Sequence, residues 1–362
     1  MDNLTSNFSN PNHKSVTIKS EALSIVMLIS VMALGMFGNI LVIASFFKFR
    51  YLRMVTNYFL VSLAVADLML ATFSMPFWLM IRMADLVRVP RDRLDYMIMY
   101  YSWQYLDILC STASIMNLCV IAKDRHMAIV SPLRYYAKMT PKRALISIAV
   151  GWTYAAVCAG ISMISIDRNI QPIAGRVYAV FISLAAFFAP LLIILFYYGR
   201  IFAVALTQIR SISHHGSLVY GAEKERRTLM QRELKVSKTL AIVVGTFVVC
   251  WSPFFVILIL FAVCSTSCVS SASATTYIAA SKWMHYSSTT ANPIIYTLFT
   301  KGFRQAFKSM LNCSECKSRC CCCIRKRIKN QTTGSQMKVW TSYECRMEEK
   351  QVQHSCSLHI SR

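Results

Sequence analysis

Residues 106–126 read LDILCSTASIMNLCVIAKDRH, a mostly apolar run with charged residues only near its ends. Asp107 stands at the start, and the pair Asp124-Arg125 stands at the end. Because an α-helix rises about 1.5 Å per residue, Asp107 and Arg125 would lie about 27 Å apart, close to the thickness of the hydrocarbon core of a bilayer. We therefore predict a membrane-crossing helix with an ionisable site near each face. A carboxylate inside a membrane is costly, so Asp107 is a candidate functional residue.

The rest of the chain has the composition of a membrane protein. Of its 362 residues, 56% are apolar and 15% are charged, whereas soluble domains have about 25% charged residues. Crossing a bilayer takes roughly 20 apolar residues. Blocks of this length lie at about 22–47, 57–81, 96–122, 143–166, 177–207, 237–263 and 275–300. The sequence thus predicts an all-α membrane protein with a seven-transmembrane helix bundle.

The basic residues predict the orientation of these spans. Of the 39 lysine and arginine residues, 30 lie on one side of the predicted membrane, and such residues concentrate on the cytoplasmic side. They occupy the segments at about 48–56, 123–143, 200–238 and 301–362. We therefore predict a multi-pass protein of the plasma membrane with a cytoplasmic C-terminus. Residues 1–21 are the predicted extracellular segment, with glycosylation sequons at Asn3 and Asn7.

The net charge of +23 is spread over separate loops. This distribution favours contact with anionic membrane lipids and argues against nucleic-acid binding. A transporter would be expected to show repeated or interrupted spans, which we do not find in this sequence. An intramembrane enzyme needs paired catalytic groups, whereas His285 is isolated in the sequence and is expected to be structural. The chain is therefore predicted not to be an enzyme.

Short motifs recur in order, one set for each predicted span. Together they resemble the rhodopsin-like (class A) G-protein-coupled receptors over about residues 25–312. The motifs are Gly38-Asn39, Ser62 to Asp67, Asp124-Arg125, Trp152, Pro190 with Tyr198, Phe247 with Trp251-Ser252-Pro253, and Asn292-Pro293 with Tyr296. The resemblance implies a receptor domain at 22–300, a short amphipathic cytoplasmic helix 8 at 301–312, and activation of heterotrimeric G proteins.

The resemblance extends to the branch of this family that binds biogenic amines. Trp103, Asp107 and Ser111 recur every four residues and so share one helix face. We expect this face to line a pocket in which Asp107 pairs with a ligand ammonium and aromatic rings lie against it. The other predicted ligand-binding residues are Ser183, Trp251, Phe254, Phe255, Lys282, Trp283 and Tyr286. This set predicts a small cationic, amine-like ligand.

Two roles for Asp107 remain open from the sequence. It either anchors a ligand ammonium or pairs internally with Lys282, which lies one turn from Tyr286. An internal pair would fit a receptor for a lipid, zwitterionic or peptide ligand. The lipid alternative has further support, because the usual disulfide from the third span to the second outer loop is missing. Tyr100 stands where the resemblance expects its first cysteine.

A second carboxylate, Asp67, lies within the second span. By resemblance it belongs to a polar network that would hold an allosteric sodium ion through oxygen ligands. The network consists of Asn39, Asp67, Ser114, Ser288, Thr289 and Asn292. A water-filled network without an ion is the alternative. No other cofactor is expected.

The cytoplasmic end of the third span carries the predicted activation switch. At rest, Arg125 would pair with Asp124 and with Glu233 of the sixth span. An agonist would favour an arrangement in which the sixth span bends at Pro253 and frees Arg125 for the G protein. Two tyrosines would move with this switch, Tyr198 and Tyr296. A solvated Glu233 is the alternative, and receptor kinases and arrestin are further expected partners.

Cysteines outside the spans carry two more predictions. Cys264 and Cys268 have the spacing of a small disulfide-closed ring, as in many amine receptors, and an oxidising exterior favours the disulfide over two free thiols. The tail at 313–362 is expected to be disordered and palmitoylated. A zinc site is the alternative there, although four adjacent cysteines suit tetrahedral geometry poorly. The tail cysteines are Cys313, Cys316, Cys320, Cys321, Cys322 and Cys323.

Overall fold

The computed structural model describes residues 11–87, 89–131, 135, 139–164, 172–214, 221–263 and 271–311. Within these ranges the chain forms eight helices, two of which combine consecutive helical segments, and no strand. Helix α1 is Pro11–Lys48, α2 combines Val55–Met69, Leu70–Ser74 and Met75–Leu86, α3 is Leu94–Val130, and α4 is Pro141–Ile164. Helix α5 combines Pro172–Ser183, Leu184–Phe188 and Ala189–His214, α6 is Gly221–Val263, α7 is Ser271–Phe299, and α8 is Lys301–Leu311.

These helices confirm the predicted fold class. Helices α1 to α6 each contain a segment long and apolar enough to cross a membrane. Helix α7 has 29 residues but is more polar, since it carries the lysine, histidine and hydroxyl residues of the predicted site. Two helices begin well before their predicted apolar spans, α1 at Pro11 and α6 at Gly221. Apolar composition reports only the part of a helix that lies in hydrocarbon, so these polar extensions could not be predicted from it.

The outer surface of the bundle exposes large apolar side chains, and its interior contains buried polar and charged groups among apolar ones. Leu34 is 62% exposed and Leu192 is 67% exposed, whereas the polar side chains of Asn39, Asp67 and Ser74 are buried. This arrangement suits a protein whose surroundings are lipid, because polar groups in hydrocarbon must be satisfied inside the protein.

Helix α3 is the centre of the bundle. It contacts α2, α4, α5 and α6, and it buries Asp107, Asp124 and Arg125. The two charged positions that frame residues 106–126 therefore both lie inside the bundle. One continuous helix connects them.

Helices α1 and α7 approach each other closely at Gly38. A Cβ atom on Gly38 would lie 2.8 Å from the ring carbons of Pro293, so only glycine fits at this point. The neighbouring Asn39 amide donates to the backbone carbonyl of Thr289 at 3.0 Å. These contacts give the Gly38-Asn39 and Asn292-Pro293 motifs a structural reason.

Helices α2 and α5 each contain a π-helical turn, at Leu70–Ser74 and Leu184–Phe188. A π turn holds more residues than a normal turn and changes which side chains follow on a given face. In α2 the turn ends at Ser74, whose side chain is buried and bonds to α3.

Helix α8 is amphipathic, as predicted. It buries Phe303, Ala306 and Phe307, and it exposes Lys301 and Arg304. The ring of Phe303 lies 5.7 Å from that of Tyr296 in α7. This contact ties the short helix to the end of the bundle that carries Arg125.

Candidate ligand-binding site

Asp107 lies inside the bundle and accepts hydrogen bonds from two neighbouring helices. The hydroxyls of Ser74 in α2 and Tyr286 in α7 both donate to Oδ1 at 3.1 Å. Lys282 of α7 donates from Nζ to Oδ2 at 2.5 Å and forms an ion pair with the carboxylate. Of the two partners that the sequence left open for Asp107, the structure contains the internal one.

Aromatic rings surround the Lys282 ammonium. Nζ lies 3.9 Å from the ring centroid of Phe254, 5.1 Å from that of Trp103, and 5.6 Å from that of Tyr286. The residue is only 1% exposed. Ammonium groups are attracted to the faces of aromatic rings. One ammonium group, that of Lys282, therefore lies between one carboxylate and three rings.

Trp103 connects α3 to both α7 and α2. Its indole Nε1 donates to the Tyr286 hydroxyl at 2.9 Å, and Tyr286 in turn donates to Asp107. The Trp103 ring also packs on the Trp78 ring of α2, with the centroids 4.9 Å apart. The aromatic wall and the carboxylate are thus parts of one hydrogen-bonded unit.

His285 follows this unit in the direction of Trp251. The sequence predicted a structural histidine and did not predict its contacts with the residues of the site. Its Nε2 is 3.2 Å from Ser111 Oγ, and its ring centroid is 4.1 Å from that of Trp251. Trp251 stacks on Phe247 at 4.2 Å and donates from Nε1 to Ser288 Oγ at 2.9 Å. Packed side chains therefore lead from the carboxylate toward the middle of α6.

The structure brings most of the predicted ligand-binding residues together. Lys282 lies against Asp107, Trp103, Phe254 and Tyr286, and His285 contacts both Ser111 and Trp251. Phe255 stacks on Phe187 of α5 at 4.5 Å. Trp283 packs against the cluster that includes Leu70, Cys110 and Tyr286. Ser183 is buried, and its hydroxyl donates to the backbone carbonyl of Ala179 at 2.7 Å. This hydrogen bond lies within α5.

Asp67 forms hydrogen bonds with only two members of the predicted polar network. Asn292 donates from Nδ2 to Oδ2 at 2.7 Å, and the Ser114 hydroxyl lies 3.5 Å from Oδ1. Ser288 is engaged with Trp251 and donates to the His285 carbonyl, while Thr289 donates to the Tyr286 carbonyl at 2.9 Å. These two hydroxyls therefore donate within α7, and neither is hydrogen-bonded to Asp67 in the described part of the chain. The oxygen atoms of Asp67, Asn39 and Ser114 are of the kind that bind a hard cation. Asn39 Oδ1 is a buried acceptor with no hydrogen-bond partner among the described residues.

Arg125 folds onto the aspartate beside it. Its guanidinium NH2 lies 2.6 Å from Asp124 Oδ2 and 3.2 Å from the Tyr135 hydroxyl, and it also donates to Thr56. Thr56 and Tyr135 both donate to the Asp124 carboxylate, at 2.7 Å and 3.0 Å. Burial, and then the charge of Asp124, raises the pKa of Tyr135 to about 12. Thr56 and Tyr135 were not predicted, because neither belongs to a motif that marks a partner of Arg125.

The remaining predicted switch residues lie on α5, α6 and α7. Pro253 and Pro293 lie inside α6 and α7. The hydroxyls of Tyr198 and Tyr296 are buried. Glu233 belongs to α6, but its side chain is outside the described part of the structure, so the predicted contact with Arg125 stays a prediction.

Several predicted positions lie outside the described residues. They are Asn3, Asn7, Cys264, Cys268, Cys313, Cys316, Cys320, Cys321, Cys322 and Cys323. Among the described residues, four cysteines are free thiols, namely Cys110, Cys119, Cys158 and Cys250. In the same part of the chain, no group of three or more His, Cys, Asp or Glu side chains is arranged to hold a metal ion.

Comparison with known proteins agrees with this geometry. Residues 38–296 match the family described as 7 transmembrane receptor (rhodopsin family). The D(1)-like dopamine receptor of Oreochromis mossambicus is 37% identical over 305 residues, which cover 76% of this chain and 75% of the relative. The D(5)-like dopamine receptor of Takifugu rubripes is 35% identical over 342 residues, covering 82% and 68%. The D(1C) dopamine receptor of Xenopus laevis is 36% identical over 325 residues, covering 80% and 67%.

Proposed function

This chain belongs to the rhodopsin family of seven-transmembrane receptors, and from that premise we propose that it binds a small aromatic amine and activates a heterotrimeric G protein. Dopamine is the first candidate ligand, because the relatives compared above are named as dopamine receptors. The family is one of receptors and not of enzymes, in agreement with the prediction from the sequence.

One observation carries the amine proposal. Asp107 and the rings of Phe254, Trp103 and Tyr286 surround a single buried position for an ammonium group. A carboxylate supplies the charge complement and the rings supply a polarisable wall, which together suit an arylalkyl amine. The relatives support this interpretation over the lipid and peptide alternatives. Ser183 is the one hydroxyl residue at 182–186, so a phenol, indole or imidazole amine suits the site as well as a catechol does.

Signal transmission would run along α3. An amine at Asp107 lies on the same helix as Arg125, and the rings from His285 to Phe247 connect the pocket to α6 near Pro253. A ligand that binds an arrangement with α6 displaced more tightly than the present one would shift the population toward it. Arg125 would then leave Asp124, Thr56 and Tyr135 and contact the G protein. The amine would enter from outside the cell, in line with the excess of basic residues at the Arg125 end.

A bound sodium ion is part of this proposal. Asp67, Asn39 and Ser114 would hold it, and the ion would neutralise a carboxylate buried in α2. Plasma-membrane residence, glycosylation at Asn3 and Asn7, and the disulfide between Cys264 and Cys268 belong to the same proposal. On the inner side, it includes palmitoylation of the tail, anionic lipids, receptor kinases and arrestin.

The test is second-messenger output from cells that express the full chain. Cyclic AMP and calcium are measured after addition of dopamine and of phenolic, indole and imidazole amines. An Asp107→Asn variant at equal surface expression is the control. We expect one amine to give a concentration-dependent response that the variant lacks. Silence to every amine, or a response that ignores Asp107, would refute the proposed function.

A further inference from the structure

The Lys282 ammonium lies where an amine ligand would have to place its own. We propose that Lys282 is a tethered cation that competes with the ligand for Asp107, so that an amine binds only by displacing it. Aromatic amines that also carry an acidic group would displace it best. This inference rests on the proposed function, because it concerns the same carboxylate and the same rings.

The site has one place for an ammonium. Asp107 Oδ1 already accepts hydrogen bonds from Ser74 and Tyr286, and Oδ2 accepts one from Lys282. The ring of Phe254 is in direct contact with Nζ at 3.9 Å. A ligand ammonium that is to touch both the carboxylate and this ring must therefore take the position that Nζ has now.

Charge opposes the presence of two ammonium groups together. Lys282 and Asp107 neutralise each other, and both are almost completely buried. A second ammonium beside Lys282 would leave one positive charge buried without a counter-ion, which is strongly unfavourable. The lysine side chain is a flexible four-carbon stem. It can therefore keep its stem in the pocket wall while its ammonium moves toward water.

An acidic group on the ligand would give the displaced lysine a new partner. The ligand ammonium would pair with Asp107 and its carboxylate with Lys282, so two ion pairs would replace one. An aromatic amino acid differs from its amine by this one carboxylate. Lys282 would thus set the preference between the two kinds of ligand, and it is a specificity-determining residue of the site.

A purely structural role for the pair predicts something different. Asp107 and Lys282 join α3 to α7, so a structural cross-link would weaken the receptor when Lys282 is replaced and would leave amine potency unchanged or lower. A competing cation predicts the opposite change in potency. The direction of the change therefore separates the two roles.

The experiment compares Lys282→Met with the wild type in full-length receptor. Methionine keeps much of the length of lysine and removes the charge. Arg176→Met is the matched control, since Arg176 is exposed at the start of α5 and loses the same charge without touching Asp107. The probes are dopamine and L-DOPA, which differ by one carboxylate. Potency is read from second-messenger output, and affinity from competition binding.

We expect Lys282→Met to lower the half-maximal dopamine concentration about tenfold, because the ligand no longer has to displace a bound group. The potency ratio should shift toward dopamine and away from L-DOPA, and Arg176→Met should change neither value.

Two results would overturn the inference while the proposed function stands. One is a wild type that responds through Asp107 and a Lys282→Met variant with unchanged or lower dopamine potency. The other is an unchanged ratio between the two probes. Silence of wild type and variant to all amines would instead refute the proposed function, and this inference with it. If the variant does not reach the cell surface, dopamine in the growth medium should restore it by replacing the lost ammonium; no restoration would also overturn the inference.

Discussion

Asp107 and Asp67 both lie buried in this bundle, and their surroundings differ in charge. Asp107 has the Lys282 ammonium at 2.5 Å and two hydroxyl donors. Asp67 has the Asn292 amide at 2.7 Å and the Ser114 hydroxyl at 3.5 Å, and the described residues provide it with no ion pair. The chain itself balances the first carboxylate, whereas the second depends on a proton or a mobile ion. On the proposed function, a cation from outside the protein would compete with Lys282 at Asp107 and would balance the charge of Asp67.

Asp124 extends this comparison to a third carboxylate. Its cation is Arg125, the next residue on the same helix. Such a pair can persist whatever the neighbouring helices do, so it does not restrain them by itself. The hydrogen bonds from Thr56 in α2 and from Tyr135 are what connect the pair to the rest of the bundle. The Asp107–Lys282 pair is different, because it joins α3 to α7 directly.

The largest effect is expected for Asp107→Asn, which leaves the Lys282 charge buried without a partner. Breaking a buried ion pair in this way costs about 3–5 kcal/mol of stability. Asp67→Asn strands no protein cation and should cost only about 1–2 kcal/mol, the scale of one altered buried hydrogen bond. Thermal unfolding of the purified receptor in one detergent measures both. Equal losses of stability would contradict the difference proposed between the two carboxylates.

A double variant provides the control for this prediction. Asp107→Asn combined with Lys282→Met removes both charges and leaves neither stranded. We expect it to recover most of the stability that Asp107→Asn loses. The amine response should stay absent, because the ligand ammonium still lacks its carboxylate.

A smaller effect is expected from sodium at Asp67. If sodium holds Asp67 in the present arrangement and an agonist favours another, each weakens the binding of the other by linkage. Replacing sodium chloride by potassium chloride should then raise agonist affinity about tenfold in the wild type. Asp67→Asn should remove this dependence. Competition binding in the two salts at equal ionic strength is the measurement, and an affinity that ignores the salt would count against the ion.

A still smaller effect is expected for Tyr135→Phe, which removes a donor to Asp124 and an acceptor for Arg125. One such hydrogen bond is worth about 1 kcal/mol, so basal second-messenger output should rise about fivefold. Since burial raises the pKa of Tyr135 to about 12, its hydroxyl stays protonated at physiological pH. The effect should therefore be the same at neutral and mildly alkaline pH. Tyr277→Phe, at an exposed tyrosine of α7, is the control, and an unchanged basal signal would show that Tyr135 does not hold the switch.

The smallest effect is expected for Ser74→Ala. Asp107 would lose one of its two hydroxyl donors and keep Tyr286 and Lys282. We expect amine affinity to change by about threefold, which is the scale of one lost hydrogen bond when the other partners of the carboxylate remain. Ser30→Ala is the matched control, because Ser30 donates only to the backbone of its own helix at Val26. A change as large as that of Asp107→Asn would mean that Ser74, and not Lys282, determines the state of the carboxylate.

The sequence was sufficient for the fold because each helix carries its own signal. Apolar length predicted the spans, and the Gly38-Asn39 and Asn292-Pro293 motifs indicated the family; the structure then shows that these motifs lie where α1 and α7 meet. The spacing within residues 106–126 predicted that Asp107 and Arg125 lie on one helix about 27 Å apart. These features depend on one helix at a time or on spacing along it.

The partners of the charged residues were harder to predict. Ser74, Thr56 and Tyr135 contact their aspartates across helix boundaries, and nothing near them in the sequence marks these contacts. The π-helical turn that ends at Ser74 also changes the helix face in a way that a regular period does not capture. Lys282 was considered as one of two partners for Asp107, since spacing alone does not decide whether a lysine points into the bundle.

The tryptophan pair beside Asp107 has an optical consequence. Four of the six tryptophans, Trp78, Trp103, Trp251 and Trp283, lie in or next to the pocket. Trp78 and Trp103 are 4.9 Å apart with their planes tilted by 35°, a separation at which the electronic transitions of two indoles couple. The near-ultraviolet circular dichroism of the unlabelled receptor should therefore be dominated by this region. Movement of the Trp103 ring relative to Trp78 would change the sign or size of that band, so the chain contains a built-in spectroscopic reporter of events at Asp107.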